Sequence, residues 1–254
     1  MRPSSRRTHA GVTFVLPCLN EARTLAAVLG ELRAMCSAAW PQRPTQIVVV
    51  DNGSTDGSER MARTFGVRRV SWPRRGYGEA VLCGIREAMH PYILCMDSDG
   101  TYDAAAVPAL VACLDQGAIL AVGSRSRVRP VPGSVNRLHH HLGTPLLTWA
   151  VNTLHGRSGG PRLTDVTSGQ YAFRKDWAMS QRWLSRGFDL NVEFFARALR
   201  EGVPIGEVPT TPRPPAPGRR SHLSTWTDGA RLLARIVGLA WASNSRNRTQ
   251  YSGL

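Results

Sequence analysis

At 254 residues and 42% hydrophobic composition, the chain has enough apolar material for one substantial core or two small domains, which sets aside intrinsic disorder and leaves a soluble globular composition. Its 32 basic and 18 acidic residues give a formal charge of +14, nearly all from arginine because Lys175 is the single lysine, so nucleoside diphosphates, lipid head groups and nucleic acid are all attracted. The five cysteines (Cys18, Cys36, Cys83, Cys95 and Cys113) form no C-x-x-C pair, no apolar leader follows the basic start, and the run "ARLLARIVGLAWA" is broken by Arg231 and Arg235. Zinc and a membrane span are thereby disfavoured, and a reducing, cytoplasmic setting is expected with at most a peripheral place at the inner face of a membrane.

Along the chain, residues 1–10 read as a loose basic tail, and 12–17 as a short strand ended by proline. Apolar residues at helical spacing follow over 20–35, then a buried-type strand over 46–51 and a capped helix beginning near Ser54. A strand at 67–72, a helix entered through glycines at 76–89, a strand at 92–97, a helix at 104–116 and a strand at 118–125 complete the series. Strands alternating with helices imply a mostly parallel sheet covered on both faces.

From Val128 to Thr164 proline, histidine and small residues dominate around a helical stretch at 142–156. The segment 165–178 follows, then a helix at 191–202, a strand at 203–210, an exposed proline- and arginine-rich connection at 211–223, and a last helix from about Thr225. On that helix Trp226, Leu232, Leu233, Ile236, Val237 and Trp241 form a candidate interfacial face beside arginines, with plain core packing as the alternative. His139, His140 and His141 are consecutive, so they do not all face one ion from a helix, and a polar, interfacial or acceptor-facing segment is expected there.

Ligands of open α/β sheets bind beyond the carboxyl ends of the strands. Three expected strands end there in polar or acidic groups: Asn20 and Glu21, Asp51, and Asp97 with Asp99. A single strand-end acid is commonly a turn former or helix cap; three at one edge point to a site. If Asp97 and Asp99 lie in extended chain they point to the same side, and a hard divalent cation relieves their repulsion. Mg2+ or Mn2+ prefers carboxylate oxygen, leaves positions open for phosphate oxygens and neutralises a departing diphosphate. Gly100 permits close approach of backbone to ligand.

The ordered set "VLPCLNE", "VVVDNGSTDGS", "RRGYGEAVLCGIREA", "MDSDGTYD" and "GSR" resembles glycosyltransferase family 2. With "HHHLGTPLL", "DVTSGQYAFRKDW", "GFDLNVEFFARA" and "EVPTTPRPPAPGRRSHLSTWTDGARLL", the likeness covers about residues 12–235 and is similar to the branch of dolichyl- and polyprenyl-phosphate mannose and glucose synthases. The resemblance implies an α/β fold of GT-A type, a Rossmann-like, mostly parallel sheet flanked by helices, with a C-terminal acceptor-side extension. It implies one domain over 11–242, made of a nucleotide-sugar-binding half (11–127) and an acceptor-side half (128–242), with a tail at 243–254.

Carried over residue by residue, it implies that Pro17, Leu19, Asn20 and Glu21 line the base and ribose pocket and that Asp51 contacts the nucleoside. Asp97, Ser98 and Asp99 would meet the metal and diphosphate, and Arg75, Gly76 and Gly78 would flank the nucleotide at a helix start. Arg125 would reach a donor or acceptor phosphate, against the plain reading of a solvated strand-end arginine. Arg219, Arg220 and His222 would supply the basic groups of the family's G-x-S-K-L element, and the density of arginine in 213–222, with Arg213, leads us to expect a loop that closes over the diphosphate and acceptor. Asp165 is either a catalytic base near the acceptor or a structural carboxylate, and Glu193 is a weaker candidate, more simply a solvated or ion-paired helical acid.

The chain departs from the family pattern at Asn52, where many relatives carry a second acid, at Gln170, where an aromatic is usual, and in having no transmembrane pair after Leu233. The function implied is an inverting transfer of a hexose from a nucleoside-diphosphate sugar, UDP- or GDP-linked, to a polyprenyl-phosphate-like acceptor. The competing acceptor is a small hydroxyl compound of natural-product (antibiotic) biosynthesis, which requires a base such as Asp165. A nucleic-acid-binding protein, suggested by charge alone, leaves the strand-end acids unexplained and is not expected.

Overall fold

The computed structural model describes residues 9–129, 131–134, 139–216 and 225–251, with only the backbone path at 139–140, 225–227 and 242–251. The first part alternates β1 (Val12–Cys18), α1 (Ala22–Ala39), β2 (Thr45–Asp51), α2 (Ser58–Thr64), β3 (Arg68–Ser71), α3 (Tyr77–Glu87), β4 (Tyr92–Met96), α4 (Val107–Asp115) and β5 (Leu120–Ser124). The second holds α5 (Thr144–His155), β6 (Gln170–Arg174), α6 (Lys175–Ser180), α7 (Asp189–Glu201), β7 (Ile205–Pro209) and α8 (Thr225–Tyr251).

Among the described residues seven strands form one sheet in the order β3, β2, β1, β4, β6, β5, β7. All neighbours are parallel except β6, which runs antiparallel to both β4 and β5. The two-residue period of the strands divides the core. Phe14 and Leu16 of β1 and Leu94 of β4 pack with Leu25, Leu29, Leu32 and Leu110 of α1 and α4. Val15, Ile93 and Cys95 face the other way, onto Val81 and Ile85 of α3, Val151 of α5 and Phe194 and Phe195 of α7. Each large side chain so buried contributes roughly 1.5–3 kcal/mol.

β6 has no counterpart among the elements expected from sequence. Its five residues alternate Tyr171 and Phe173 toward one core layer with Ala172 toward the other, and its register sets Met96 opposite Gln170. Gln170 stays buried because its amide donates to the Asp103 carbonyl (2.8 Å) and accepts from Thr210 Oγ1 (2.7 Å).

Two expectations are corrected. The helix expected near Ser54 begins at Ser58, because Ser54, Asp56 and Ser58 cap a different helix, as described below. The proposed interfacial face of α8 is largely core: Leu232, Ile236 and Leu239 are buried against α5 and α7, leaving Val237 and Trp241 exposed. The Trp226 side chain lies outside the described residues.

Candidate active site

Because β1, β2 and β4 are parallel, their ends at Cys18, Asp51 and Met96 reach one edge of the sheet, and antiparallel β6 begins at the same edge. A cavity of about 780 Å3 opens there, bounded by the β1–α1 connection, the start of α3, the turn after β4, the start of α7 and one face of α8.

The β1–α1 connection is held by side chains from the segment after β2. Asn20 takes a left-handed conformation (φ 57°), with its N–H donating to Ser54 Oγ (3.0 Å) and its side-chain oxygen accepting from Thr55 N–H (2.8 Å). Glu21 N–H donates to Ser58 Oγ (2.9 Å) and Ala22 N–H to Asp56 Oδ2 (2.9 Å), so "STDGS" caps α1 across the sheet edge. Thr24 Oγ1 donates to the Ser98 carbonyl (2.9 Å), and Ser98 Oγ to the Pro17 carbonyl (2.7 Å), which joins this connection to the acidic turn.

β4 stops at Met96, so Asp97 and Asp99 stand in a turn and the strand period does not set their relation; both nevertheless line the cavity. Asp99 accepts Thr101 N–H at 2.8 Å. Asp97 lies against Gly169, where any Cβ would overlap its carboxylate, so only glycine leaves it space. Among the described residues no three acidic, His or Cys side chains converge on a metal position. Two carboxylates of a hard-oxygen set fit Mg2+ or Mn2+ when further oxygens come from a diphosphate.

Asn52 organises the opposite wall. Its amide nitrogen donates to the carbonyls of Trp72 (3.0 Å) and Arg74 (2.7 Å), and its oxygen accepts Gly76 N–H (2.8 Å). An acid at this position has no donors for those carbonyls, which explains the physical sense of the amide. Gly76 (φ 140°) and Gly78 let α3 begin against the 186–187 backbone, where a Cβ on Gly78 would stand 2.7 Å from the Arg186 carbonyl carbon. The residues just before that backbone, Leu184 and Ser185, are anchored by Glu193. Far from solvated, it is fully buried, accepting N–H groups of Leu184 and Ser185 and two bonds from Arg197.

Arg125, just beyond β5, donates from Nε and Nη2 to the two oxygens of Asp165 (2.7 and 2.9 Å), and its backbone N–H adds a third bond (3.1 Å). Asp165 has no exposed surface. Burial alone would raise its pKa, but Arg125 and the backbone donors outweigh that and hold the carboxyl below its ordinary value. Nearby, burial first of all pushes the Tyr102 hydroxyl up to about 12, keeping it neutral while it accepts Gly169 N–H (2.9 Å).

Of the residues put forward from sequence, Pro17, Leu19, Glu21, Gly76, Asp97, Ser98 and Asp99 line the cavity. Asn20, Asp51 and Gly78 shape its walls from behind, with Asp51 accepting Ser54 N–H (3.0 Å). Arg75 is exposed outside it. Arg213 turns away to Glu31 (2.6 Å) and Asp103 (3.7 Å), because its backbone pairs with Thr101; a direct approach to the cavity is not what this conformation shows. Arg219, Arg220 and His222 lie outside the described residues. Tyr77, Phe188 and Asp189, which the sequence did not single out, also line the cavity, as do Arg231 and Arg235, four positions apart on α8, where the sequence sets them beside an apolar face.

Known proteins bear on this geometry. Over 144 residues the chain is 42% identical to an uncharacterised glycosyltransferase of Mycobacterium tuberculosis, spanning 61% of that relative's length. It is 28% identical to the polyprenol monophosphomannose synthase of Mycolicibacterium smegmatis, over 82% of this chain and 80% of that one. Glucosyl-3-phosphoglycerate synthase from Mycobacterium tuberculosis, crystallised with Mn2+, UDP and glucosyl-3-phosphoglycerate, shares the fold with a TM-score of 0.65 at 23% identity, over 96% of this chain and 85% of that one. The fold is thus α/β of GT-A type. The profile described as glycosyl transferase family 2 matches residues 13–180, from β1 through α6 and well over half of the chain, and the protein belongs to that family.

Proposed function

We propose that this glycosyltransferase moves a hexose, with inversion, from a UDP- or GDP-linked donor to the phosphate of a polyprenyl-phosphate-like acceptor. The observation that carries the acceptor class is the state of Asp165, a carboxylate without exposed surface that is engaged by Arg125. It serves as a positioning residue, so the base that the sequence offered for a hydroxyl acceptor is already engaged. A phosphate acceptor is already anionic and needs none: its oxygen bonds to the anomeric carbon as the bond from that carbon to the diphosphate breaks, and the electron pair leaves with the diphosphate. The polyprenol monophosphomannose synthase relative supports the same class.

Pro17, Leu19 and Glu21 with the Asn52-held start of α3 would hold the nucleoside and diphosphate, and Asp97 and Asp99 would hold Mn2+ or Mg2+. That ion, when bound, supplies Lewis-acid neutralisation of the departing diphosphate. No helix among the described residues is long and apolar enough to cross a membrane. Leu142, Leu146 and Trp149, on and just before α5, and Val237 and Trp241 on α8 are exposed on packed neighbouring helices, a surface suited to resting on anionic lipid.

The test is a donor and acceptor screen by mass spectrometry, with Mn2+, UDP-, GDP- and dTDP-sugars, farnesyl phosphate and neutral alcohols. Glycosylated farnesyl phosphate is the expected product. Transfer confined to neutral alcohols would replace this reading with the small-hydroxyl alternative.

A further inference from the structure

We propose that Arg231 and Arg235 form the anion-binding end of the cavity and hold the phosphate of a phosphate-monoester acceptor. This rests on the transferase reading above and assigns the acceptor site to α8. The cationic side chains among the described lining residues, Arg231 and Arg235, both stand on α8, with Asp189 and Asp228 beside them, whereas Glu21, Asp97 and Asp99 stand at the strand edge. An anion entering beside a metal-held diphosphate therefore meets its complement on α8. Arg125, the other arginine expected to hold phosphate, is committed to Asp165.

The two arginines lie one helical turn apart and share a face. That face is held in place, because Leu232, Ile236 and Leu239 of the same helix are buried, His155 bonds the Ile236 carbonyl (2.9 Å) and Arg200 the Leu239 carbonyl (3.2 Å). Arg235 Nε donates to Asp189 Oδ2 (3.0 Å), while Asp189 Oδ1 accepts Gly187 N–H (3.0 Å). A carboxylate at the start of α7 thus orients the guanidinium, and an oriented fork suits bidentate phosphate binding. Arg231 keeps 82% of its side chain exposed, with Asp228 at 3.7 Å, and swings at little cost. Ala234 and Gly238 line the cavity on the same stretch of helix and leave room for an ester's organic part.

The experiment is calorimetry on the full chain loaded with Mn2+ and with UDP or GDP, whichever binds, titrated with farnesyl phosphate and, separately, with 3-phosphoglycerate. Farnesol and glycerate serve as phosphate-free counterparts. At least one phosphate ester should bind, its counterpart should not, and which ester binds identifies a lipid or a water-soluble source. R231Q and R235Q should each weaken that binding roughly tenfold to a hundredfold, R231K should recover part of it, and nucleotide affinity and melting temperature report whether each variant is folded. Wild-type protein that binds UDP or GDP but neither ester, or a folded double variant R231Q/R235Q that binds the ester as wild type does, overturns the site and leaves the transferase reading standing. Wild-type protein that binds neither UDP nor GDP with Mn2+ overturns both.

Discussion

Arg125 and Asp165 face each other through two charge-assisted hydrogen bonds, Nε to Oδ2 at 2.7 Å and Nη2 to Oδ1 at 2.9 Å, with the carboxylate fully withdrawn from water. The pair ties the end of β5 to the segment leading into β6, and so holds the edge on which Asp97 and Gly169 meet. Removing one member leaves an uncompensated buried charge, and Asp165→Asn should lower stability by about 3–5 kcal/mol in urea unfolding. A double variant, R125M/D165N, should recover part of that loss. The sign with pH follows from the lowered pKa: the contribution is present above the unfolded value, near 3.8, and is lost as pH falls through the lower folded value. The stability gap between wild type and D165N should be flat at neutral pH and close only in acid; a gap that closes near neutrality would refute the assignment.

Asp99→Asn keeps shape and removes a charge from the cavity. UDP affinity measured with Mn2+ should fall at least about tenfold, as expected when one of few hard-oxygen ligands is neutralised, while affinity without metal stays the same. Equal losses with and without metal would place Asp99 in nucleotide contact instead.

Asn52→Asp retains the acceptor for Gly76 N–H but loses both donors and sets a carboxylate against the Trp72 and Arg74 carbonyls. Two unsatisfied carbonyls and the added repulsion should cost about 1–3 kcal/mol and weaken UDP binding, seen by thermal melting and calorimetry. Unchanged values in both measurements would show that the amide does not hold the loop.

Trp149 and Trp241 are 63% and 75% exposed, so W149S/W241S should alter stability by less than about 1 kcal/mol. Sedimentation with vesicles containing anionic lipid should nevertheless fall severalfold, and salt should weaken the wild-type interaction. Wild-type protein that stays in the supernatant at low salt would remove the membrane-facing reading.

The helices and strands from β1 to β5 were legible because each depends on apolar spacing among residues close in the chain. Strand β6 was not. Its five residues become a strand only by pairing with β4 and β5, and a buried Gln170 in such a short run masks the alternation. Likewise "STDGS" carries the chemistry of a helix cap, but the helix that it caps, α1, lies more than 30 positions earlier.

By itself the sequence determined the alternating α/β order, the acids placed after successive strands and the family that those motifs mark, all of which are properties of contiguous residues. Tertiary structure alone decided which charged groups line the cavity. Asp97, Asp99, Arg231 and Arg235 reach the cavity, while Asp165 and Arg125 satisfy each other across 40 positions and Glu193 is consumed by backbone N–H groups and Arg197. The reason is physical: burial and ion pairing are set by whatever the fold brings alongside a side chain, and no local pattern encodes that neighbour.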